Sequence, residues 1–341
     1  MPLPFKLVYS PDYYLPLGAH VFPAEKYRLI HKRLVDDRIA TETDFLTPQP
    51  APDDDILLVH TPDYVRKLKT GTLSMMEEMQ MEVPYSPELV KAFWLSAGGS
   101  VLAGRRALSD RCCVNIGGGF HHAYPDHGEG FCVIHDVAVA IRRLQKDGAI
   151  KTAMVVDCDV HHGNGTAAIF PPATAQIPFD ESFRAQQRER AAESRNLAFA
   201  SAARCMAATA HEVFTISLHQ FNNYPALKPP SCIDVHFRDG VENDAYLWWL
   251  EHALEHAFAH VTPDLLCYIA GADPYREDQL GGLALSMDGL KQRDLLVLRR
   301  AKEKNIPVMI AYAGGYARHV EDTVTIHTNT VLAATEVFVE P

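Results

Sequence analysis

Short apolar runs alternate with longer segments of helical periodicity along most of this chain. The apolar runs are typical of strands buried in a sheet and occur at residues 5–9, 56–60, 112–116, 153–158, 212–218, 265–270 and 307–312. Helical segments cover residues 24–35, 87–108, 136–146, 242–260, 286–304 and 321–337. This alternation predicts a mainly parallel sheet covered by helices on both faces, a single-domain three-layer α/β/α sandwich.

The strongest chemical signal begins at the end of the run at 153–158, where the sequence turns abruptly polar. Asp157, Asp159 and His161 stand at every second position before the turn Gly163-Asn164-Gly165. On a strand, this spacing points all three side chains to one side. A capped turn of hydrogen-bonded side chains is one interpretation. Burying two carboxylates and an imidazole is costly unless they bind something, so we favour a divalent metal.

Polar residues also follow three other apolar runs. The pair His121-His122 comes after residues 112–116 and a glycine loop, Asp273 after 265–270, and Tyr316 after 307–312. In open parallel sheets, the ligand site lies beyond the carboxyl ends of the strands. The sequence therefore predicts that these distant residues converge on one site.

Catalytic roles follow from these residue types. Asp159, His161 and Asp273 supply three metal ligands and leave a position open for water and substrate. The pair His121 and His122 supplies candidates for the base and the acid that hydrolysis needs. Tyr316 is a candidate donor to a developing oxyanion, and Phe131 is a candidate wall of an apolar channel, unless it is simply a core residue.

Composition narrows the class of protein. The net charge of -11 over 341 residues argues against direct binding of nucleic acid. The seven cysteines form no CxxC pattern, so we interpret them as reduced thiols of a cytoplasmic protein. The chain shows no signal peptide and no membrane-spanning segment, so no membrane partner is expected.

Residues 171–210 interrupt the alternation of strands and helices. They combine a Pro-rich stretch with a stretch rich in Arg, Gln, Glu and Ala. We interpret this segment as an insertion within a single domain that covers residues 1–341. It either caps the site, builds an interface, or is a solvated helix without a role.

Six motifs resemble a known family. They are GGGFHHA at 117–123, GFC at 130–132, DCDVHHGNGT at 157–166, SLHQ at 217–220, AGADPYREDQLGGLALS at 270–286 and AGGY at 313–316. In this order they resemble the zinc-dependent histone deacetylases, which have the arginase/deacetylase fold, and the resemblance runs from residue 7 to about 337. The sequences VYSP, GGGFHH and LGGLALS are most similar to class IV deacetylases and their bacterial relatives.

The resemblance implies a role for each matching residue. The residues that match the family's zinc ligands are Asp159, His161 and Asp273. His122 matches the general base, with His121 as its tandem partner, and Tyr316 matches the oxyanion-stabilising tyrosine. Asp157 matches a residue that orients His121 and helps to hold a structural potassium ion with Ser217 and the backbone of Leu218. Asn164 matches a residue that orients His122. The substrate channel matches Gly130, Phe131 and the apolar wall Leu280.

Three departures from the family pattern bear on these expectations. His135 stands where many relatives carry Asn, which leaves the local hydrogen bonding open. The 171–210 segment is longer than the family norm and bears on access to the site. Gly163 stands where the related arginases carry a second-metal Asp, so the resemblance implies one catalytic ion, Zn²⁺ or Fe²⁺, and not a binuclear manganese centre.

The expected activity is removal of acetyl or other acyl groups from Nε-acyl-lysine in a peptide or protein. Acetylpolyamines or other small acyl amides, and lysine carrying longer acyl chains, remain alternative substrates. A scaffold that binds acyl-lysine without turnover is the alternative from another class, and the intact set of catalytic residues counts against it. The sequence leaves the oligomeric state open.

Overall fold

A computed structural model describes residues 2–15, 17–18, 20–172, 199–201 and 212–339, with only the backbone described for 199–201. Within these ranges the chain forms one nine-stranded sheet, in the order β2-β1-β3-β9-β8-β4-β6-β7-β5. The strands are β1 (Lys6–Val8), β2 (Phe45–Leu46), β3 (Cys112–Asn115), β4 (Ala153–Asp157), β5 (Phe199–Ser201), β6 (Val213–Gln220), β7 (Ile233–Phe237), β8 (Leu265–Ile269) and β9 (Val308–Ala311). Every neighbouring pair is parallel except β5–β7.

The helices of the described ranges connect and cover these strands. They are α1 (Lys26–Asp36), α2 (Asp53–Ile56), α3 (Pro62–Thr70), α4 (Met75–Met81), α5 (Pro87–Asp110), α6 (Asp136–Lys146), α7 (Asn164–Ile169), α8 (Asn243–His260), α9 (Met287–Glu303) and α10 (Val320–Phe338). Helix α5 packs against α6, and helix α10 packs against both α1 and α9. The predicted three-layer α/β/α sandwich with a mainly parallel sheet is confirmed.

The long helices begin where local chemistry favours a helix start. Ser86 accepts a hydrogen bond from the backbone N–H of Leu89, and Pro87 occupies the first helical position of α5. Ser286 caps α9 in the same way through the N–H of Gly289. The central strands between these helices are fully buried on both faces, which explains their continuous apolar sequences.

The predicted strand at residues 56–60 is wrong. Pro52 and three consecutive aspartates begin the helix α2, which ends at Ile56, and Leu57 is 40% exposed in the turn that follows. Acidic residues in the first turn favour a helix start. A short apolar run does not distinguish a strand from a buried helical turn, which is why the sequence pattern was ambiguous here.

The sequence pattern also gives no prediction for β7, whose residues Ile233–Phe237 alternate between apolar and polar side chains. Most of the predicted insertion at 171–210 lies outside the described residues. The described stretch 199–201 forms β5, which pairs antiparallel with β7. Among the described helices, none is both long enough and apolar enough to cross a membrane.

Candidate active site and metal centre

Four adjacent strands bring the predicted polar clusters together. The strands β3, β9, β8 and β4 are neighbours in the sheet, and they are followed by His121-His122, Tyr316, Asp273, and the Asp157–His161 segment respectively. All of these side chains are buried. The loops that leave one edge of the sheet therefore form a single polar site below the protein surface, as the strand order requires.

The predicted metal ligands meet at this site. Nδ1 of His161 lies 3.0 Å from Oδ1 of Asp159 and 3.3 Å from Oδ2 of Asp273. Ligand atoms bound at ordinary zinc distances around a tetrahedral ion are roughly 3.3 Å apart. One ligand atom from each of the three residues lies within 4.8 Å of the others, so the set fits one divalent ion.

Backbone hydrogen bonds orient these carboxylates. The strand β4 ends at Asp157, so Asp159 and His161 lie in the following loop, and strand alternation does not align them as the sequence predicts. Instead, Asp157 accepts from the N–H of Asp159, and Asp159 accepts from the N–H of His161. Each carboxylate thereby fixes the turn that places the next ligand.

The site has an incompletely satisfied acceptor, as an ion-binding site does. Oδ2 of Asp273 is buried and has no hydrogen-bond partner among the described residues. Gly314 donates its N–H to Oδ2 of Asp159, and a Cβ atom on Gly314 would lie 2.1 Å from Oδ2 of Asp273. Only glycine allows the backbone to approach the carboxylates this closely.

The ligand side chains strongly perturb one another. Burial raises the pKa of Asp273 to about 7, with the charge of Asp159 adding to the effect. Burial also opposes ionisation of Asp159, but His121 and His161 outweigh it and hold the pKa of Asp159 well below its usual range. Two buried carboxylates side by side are stabilised by a shared cation, so the donor set fits a divalent metal.

The tandem histidines differ in their environment. Nδ1 of His121 lies 2.6 Å from Oδ2 of Asp157. Burial alone lowers the pKa of His121, but Asp157 and Asp159 outweigh burial and raise that pKa to about 9. Burial, together with the positive charges of His121 and His161, lowers the pKa of His122 well below its ordinary value. In the metal-free site, these opposite shifts favour protonated His121 and neutral His122 at neutral pH.

A polar chain leads from His122 to the rim of the site. Nδ1 of His122 lies 2.6 Å from Oδ1 of Asn164, and Nδ2 of Asn164 donates to Oε1 of Glu129 at 2.6 Å. The same carboxylate oxygen accepts from the hydroxyl of Tyr224 at 2.9 Å. The sequence reasoning missed Glu129 and Tyr224. An acidic residue between two glycines, just before Phe131, was the available signal for Glu129.

Tyr316 and the predicted channel residues enclose a cavity of about 190 Å³. The cavity is lined by His122, His161 and Tyr316 and by Gly130, Phe131 and Leu280, together with Glu82, Asn223 and Tyr224. The ring of Tyr316 is edge-on to Phe131, with centroids 5.9 Å apart. Burial raises the pKa of Tyr316 well above its ordinary value, so its hydroxyl remains a hydrogen-bond donor.

The channel wall contains an unusual backbone conformation. Gly130 and Phe131 both have positive φ angles, of 53° and 68°. A Cβ atom on Gly130 would lie 2.8 Å from both the His122 and the Tyr224 rings. A left-handed conformation at an aromatic residue is strained, and such strain is concentrated at functional sites.

The residues of the predicted potassium site are neighbours in the sheet. Asp157 on β4 pairs in register with Ser217 on β6, and Leu218 follows Ser217. Oγ of Ser217 lies 2.9 Å from Nδ1 of His219. These positions are compatible with an oxygen-ligated cation, and the potassium ion itself remains a prediction.

The structure shows the hydrogen bonds of His135, which the sequence left open. Its ring accepts from the N–H of Ala138 and caps α6, and its Nε2 atom lies 2.9 Å from Oγ1 of Thr166. His135 thus performs the capping role for which Asn is suited. It also ties α6 to the short helix α7, which begins at Asn164.

Comparison with known families identifies the chain. Residues 20–331 match the model of the histone deacetylase domain. The chain belongs to the histone deacetylase family. An uncharacterized protein of Picosynechococcus sp. is 34% identical over 98% of this chain and 99% of its own length. Histone deacetylase 2 of Arabidopsis thaliana is 29% identical to this histone deacetylase family member, over 93% of this chain and 77% of the plant protein.

Solved structures show the same fold. A crystal structure of an HDAC homologue complexed with SAHA has a TM-score of 0.75 and 21% identity, covering 97% of this chain and 84% of the homologue. The HDAC homologue from Aquifex aeolicus gives a TM-score of 0.74 with the same coverage and identity. The predicted arginase/deacetylase fold is confirmed, and the chain is a hydrolase of the deacetylase family.

Proposed function

We propose that this histone deacetylase family member removes acetyl groups from Nε-acetyl-lysine in a peptide or protein, with one catalytic metal. The observation that carries the proposal is the position of neutral His122 on the wall of the same cavity as His161. A proton acceptor and a metal ligand thus face the same space. Metal-assisted amide hydrolysis uses both groups at the reacting carbon.

Asp159, His161 and Asp273 would hold the ion. The mixed oxygen and nitrogen set accepts Zn²⁺, and Fe²⁺ or Co²⁺ also fit such ligands, so zinc is our choice on family grounds. Bound there, a divalent ion lowers the pKa of a water molecule and polarises an amide carbonyl. Among the described residues, His161 belongs to one cluster of metal-ligand side chains, and that cluster fits a single catalytic ion.

The two histidines have separate roles in this proposal. His122 lines the cavity, so its Nε2 atom takes the proton of the attacking water and returns it to the leaving amine. Asn164 accepts a hydrogen bond from Nδ1 of His122 and fixes that tautomer. His121 does not line the cavity. Burial lowers the pKa of His122, and the positive charge of His121, maintained by Asp157, adds to that effect.

Tyr316 and the channel complete the site. The hydroxyl of Tyr316 donates to the carbonyl oxygen of the substrate as negative charge develops there. Gly130, Phe131 and Leu280 would contact the aliphatic part of the acyl-lysine side chain. The polar inner end and the apolar walls of the cavity together suit an acyl amide on a hydrocarbon chain.

Acetylpolyamines are the second candidate substrates, and one observation favours them. Glu82 lines the cavity with its side chain exposed, and its carboxylate would attract a substrate cation beyond the acyl amide. Lysine with a longer acyl chain is a further alternative.

The proposed setting is cytoplasmic, without direct binding to nucleic acid or membrane. A structural K⁺ held by Asp157, Ser217 and the backbone of Leu218 is also proposed.

A panel of three substrates tests the substrate assignment. Zinc-loaded enzyme is assayed with an acetyl-lysine peptide, N-acetylated spermidine and a myristoyl-lysine peptide, and kcat/KM is compared. We expect the highest value with the acetyl-lysine peptide. Turnover of the polyamine alone contradicts the lysine assignment, and the Glu82→Gln variant should then lose kcat/KM for that substrate selectively.

A further inference from the structure

A second cluster of metal-ligand side chains lies beside the candidate active site. Ser217 and His219 alternate on β6, Asp234 and His236 alternate on β7, and the pairs Ser217–Asp234 and His219–His236 are in register. Alternation places all four side chains on one face of the two parallel strands. His162 reaches the same place from the loop after β4.

The distances within this cluster suit one ion. Nε2 of His162 lies 3.3 Å from Oδ1 of Asp234, and Nε2 of His219 lies 2.8 Å from Nδ1 of His236. One ligand atom each from His162, His219 and Asp234 lies within 4.8 Å of the others. Zinc ligands in a tetrahedron are roughly 3.3 Å apart, so these three residues fit one ion, and His236, hydrogen-bonded to His219, lies beside them as the candidate fourth ligand.

Neighbouring groups leave the correct atoms available. Nδ1 of His219 lies 2.9 Å from Oγ of Ser217, which can accept its proton, and Nε2 of His219 would then be the nitrogen that binds an ion in place of its contact with His236. Oδ2 of Asp234 accepts from the N–H of Ser231 at 2.9 Å, which leaves Oδ1 for an ion. Metal-binding histidines and carboxylates usually have their other atom held in this way.

The second cluster combines imidazole rings with one carboxylate in a mostly buried setting. His162, His219 and Asp234 are buried. Imidazole and carboxylate together are a common donor set for a divalent metal. In the described part of the chain, Asp234 has no Lys or Arg among its ion-pair partners.

We propose that His162, His219, Asp234 and His236 bind a second divalent metal of the Zn²⁺ class. Four protein ligands leave no open position, so this site is structural and not catalytic. It would join β6 and β7 to the loop that carries His161, because His161 and His162 are consecutive residues with side chains in different centres. The proposal does not depend on the catalytic assignment.

Metal counting tests this proposal. Metal-free protein is dialysed against Co²⁺, and bound metal per chain is measured by mass spectrometry together with the visible absorption of tetrahedral Co²⁺. Asp273→Asn removes a ligand of the candidate active site. Asp234→Asn removes the negative charge of the second site while keeping an acceptor for Ser231. His260→Asn, on an exposed residue of α8, controls for adventitious binding to surface histidines.

The proposal predicts two equivalents in the wild type and in His260→Asn, one in each single Asn variant of the two sites, and none in the double variant. It is overturned when Asp234→Asn binds as much metal as the wild type, or when Asp273→Asn binds none. Those results would mean a hydrogen-bonded cluster without an ion. If circular dichroism shows that Asp234→Asn is unfolded, His236→Asn, at a half-buried position, decides by the same count.

Discussion

Nδ1 of His121 and Oδ2 of Asp157 lie 2.6 Å apart, and both groups are buried. The carboxylate reverses the effect that burial has on the imidazole, because a nearby negative charge favours the protonated ring. The next residue, His122, faces a neutral amide instead of a carboxylate. The pKa values of two consecutive histidines are therefore shifted in opposite directions, and that difference is the basis of the proposed proton transfers.

Replacing Asp157 by Asn should lower the pKa of His121. In the wild type that pKa is about 9, because Asp157 and Asp159 outweigh burial. Without the Asp157 charge, the effect of burial is opposed less strongly, and the midpoint of the His121 titration should fall by more than about one pH unit. NMR titration of the histidine ring resonances in metal-free protein measures this. An unchanged midpoint in Asp157→Asn would contradict the assignment of the charge to His121.

The two histidines should also differ in their contribution to the rate. His122→Ala removes the group that faces the cavity, so kcat should fall by about 10²–10⁴, the usual contribution of a general base. His121→Asn removes only the neighbouring charge and should have a smaller effect. Both variants keep the three proposed catalytic metal ligands, and bound metal is measured as the control. A larger loss of kcat in His121→Asn would reverse the assigned roles.

Replacing Asn164 by Asp should move the acid side of the pH–rate profile to higher pH. The new carboxylate favours protonated His122, whose pKa burial and neighbouring charges otherwise hold well below the ordinary value. The free base then becomes scarcer as the pH falls. Glu129→Gln is the matched control, because it keeps an acceptor for the Asn164 amide without placing a charge beside His122. Coincident profiles for Asn164→Asp and the wild type would count against His122 as the base.

The sequence predicts the architecture and the convergence of the site because both depend on strands buried on both faces. The run at 265–270 is apolar throughout and the run at 153–158 is apolar except for Asp157, and parallel strands must place their following residues at one edge. The run at 56–60 failed because a short apolar stretch also fits a helical turn, and here Pro52 and the acidic residues after it decide the conformation.

The sequence pattern could not predict the contacts between loops. Tyr224 reaches Glu129 across 95 residues of chain, and no periodicity relates the two. The cluster of His162, His219 and Asp234 depends on the register between β6 and β7, and β7 was itself not predicted. Register and loop packing are set by tertiary contacts, whereas the family motifs mark only the residues that they contain.

The most direct test of the account is metal-dependent release of acetate from an acetyl-lysine peptide. Metal-free wild-type protein is compared before and after addition of Zn²⁺, with the Asp273→Asn variant treated identically. The account predicts release only from the zinc-loaded wild type, because Asp273 belongs to the three-residue ligand set. Equal release by the metal-free protein, or by Asp273→Asn, would contradict a catalytic metal at this site. No release by zinc-loaded wild type would contradict the acetyl-lysine assignment.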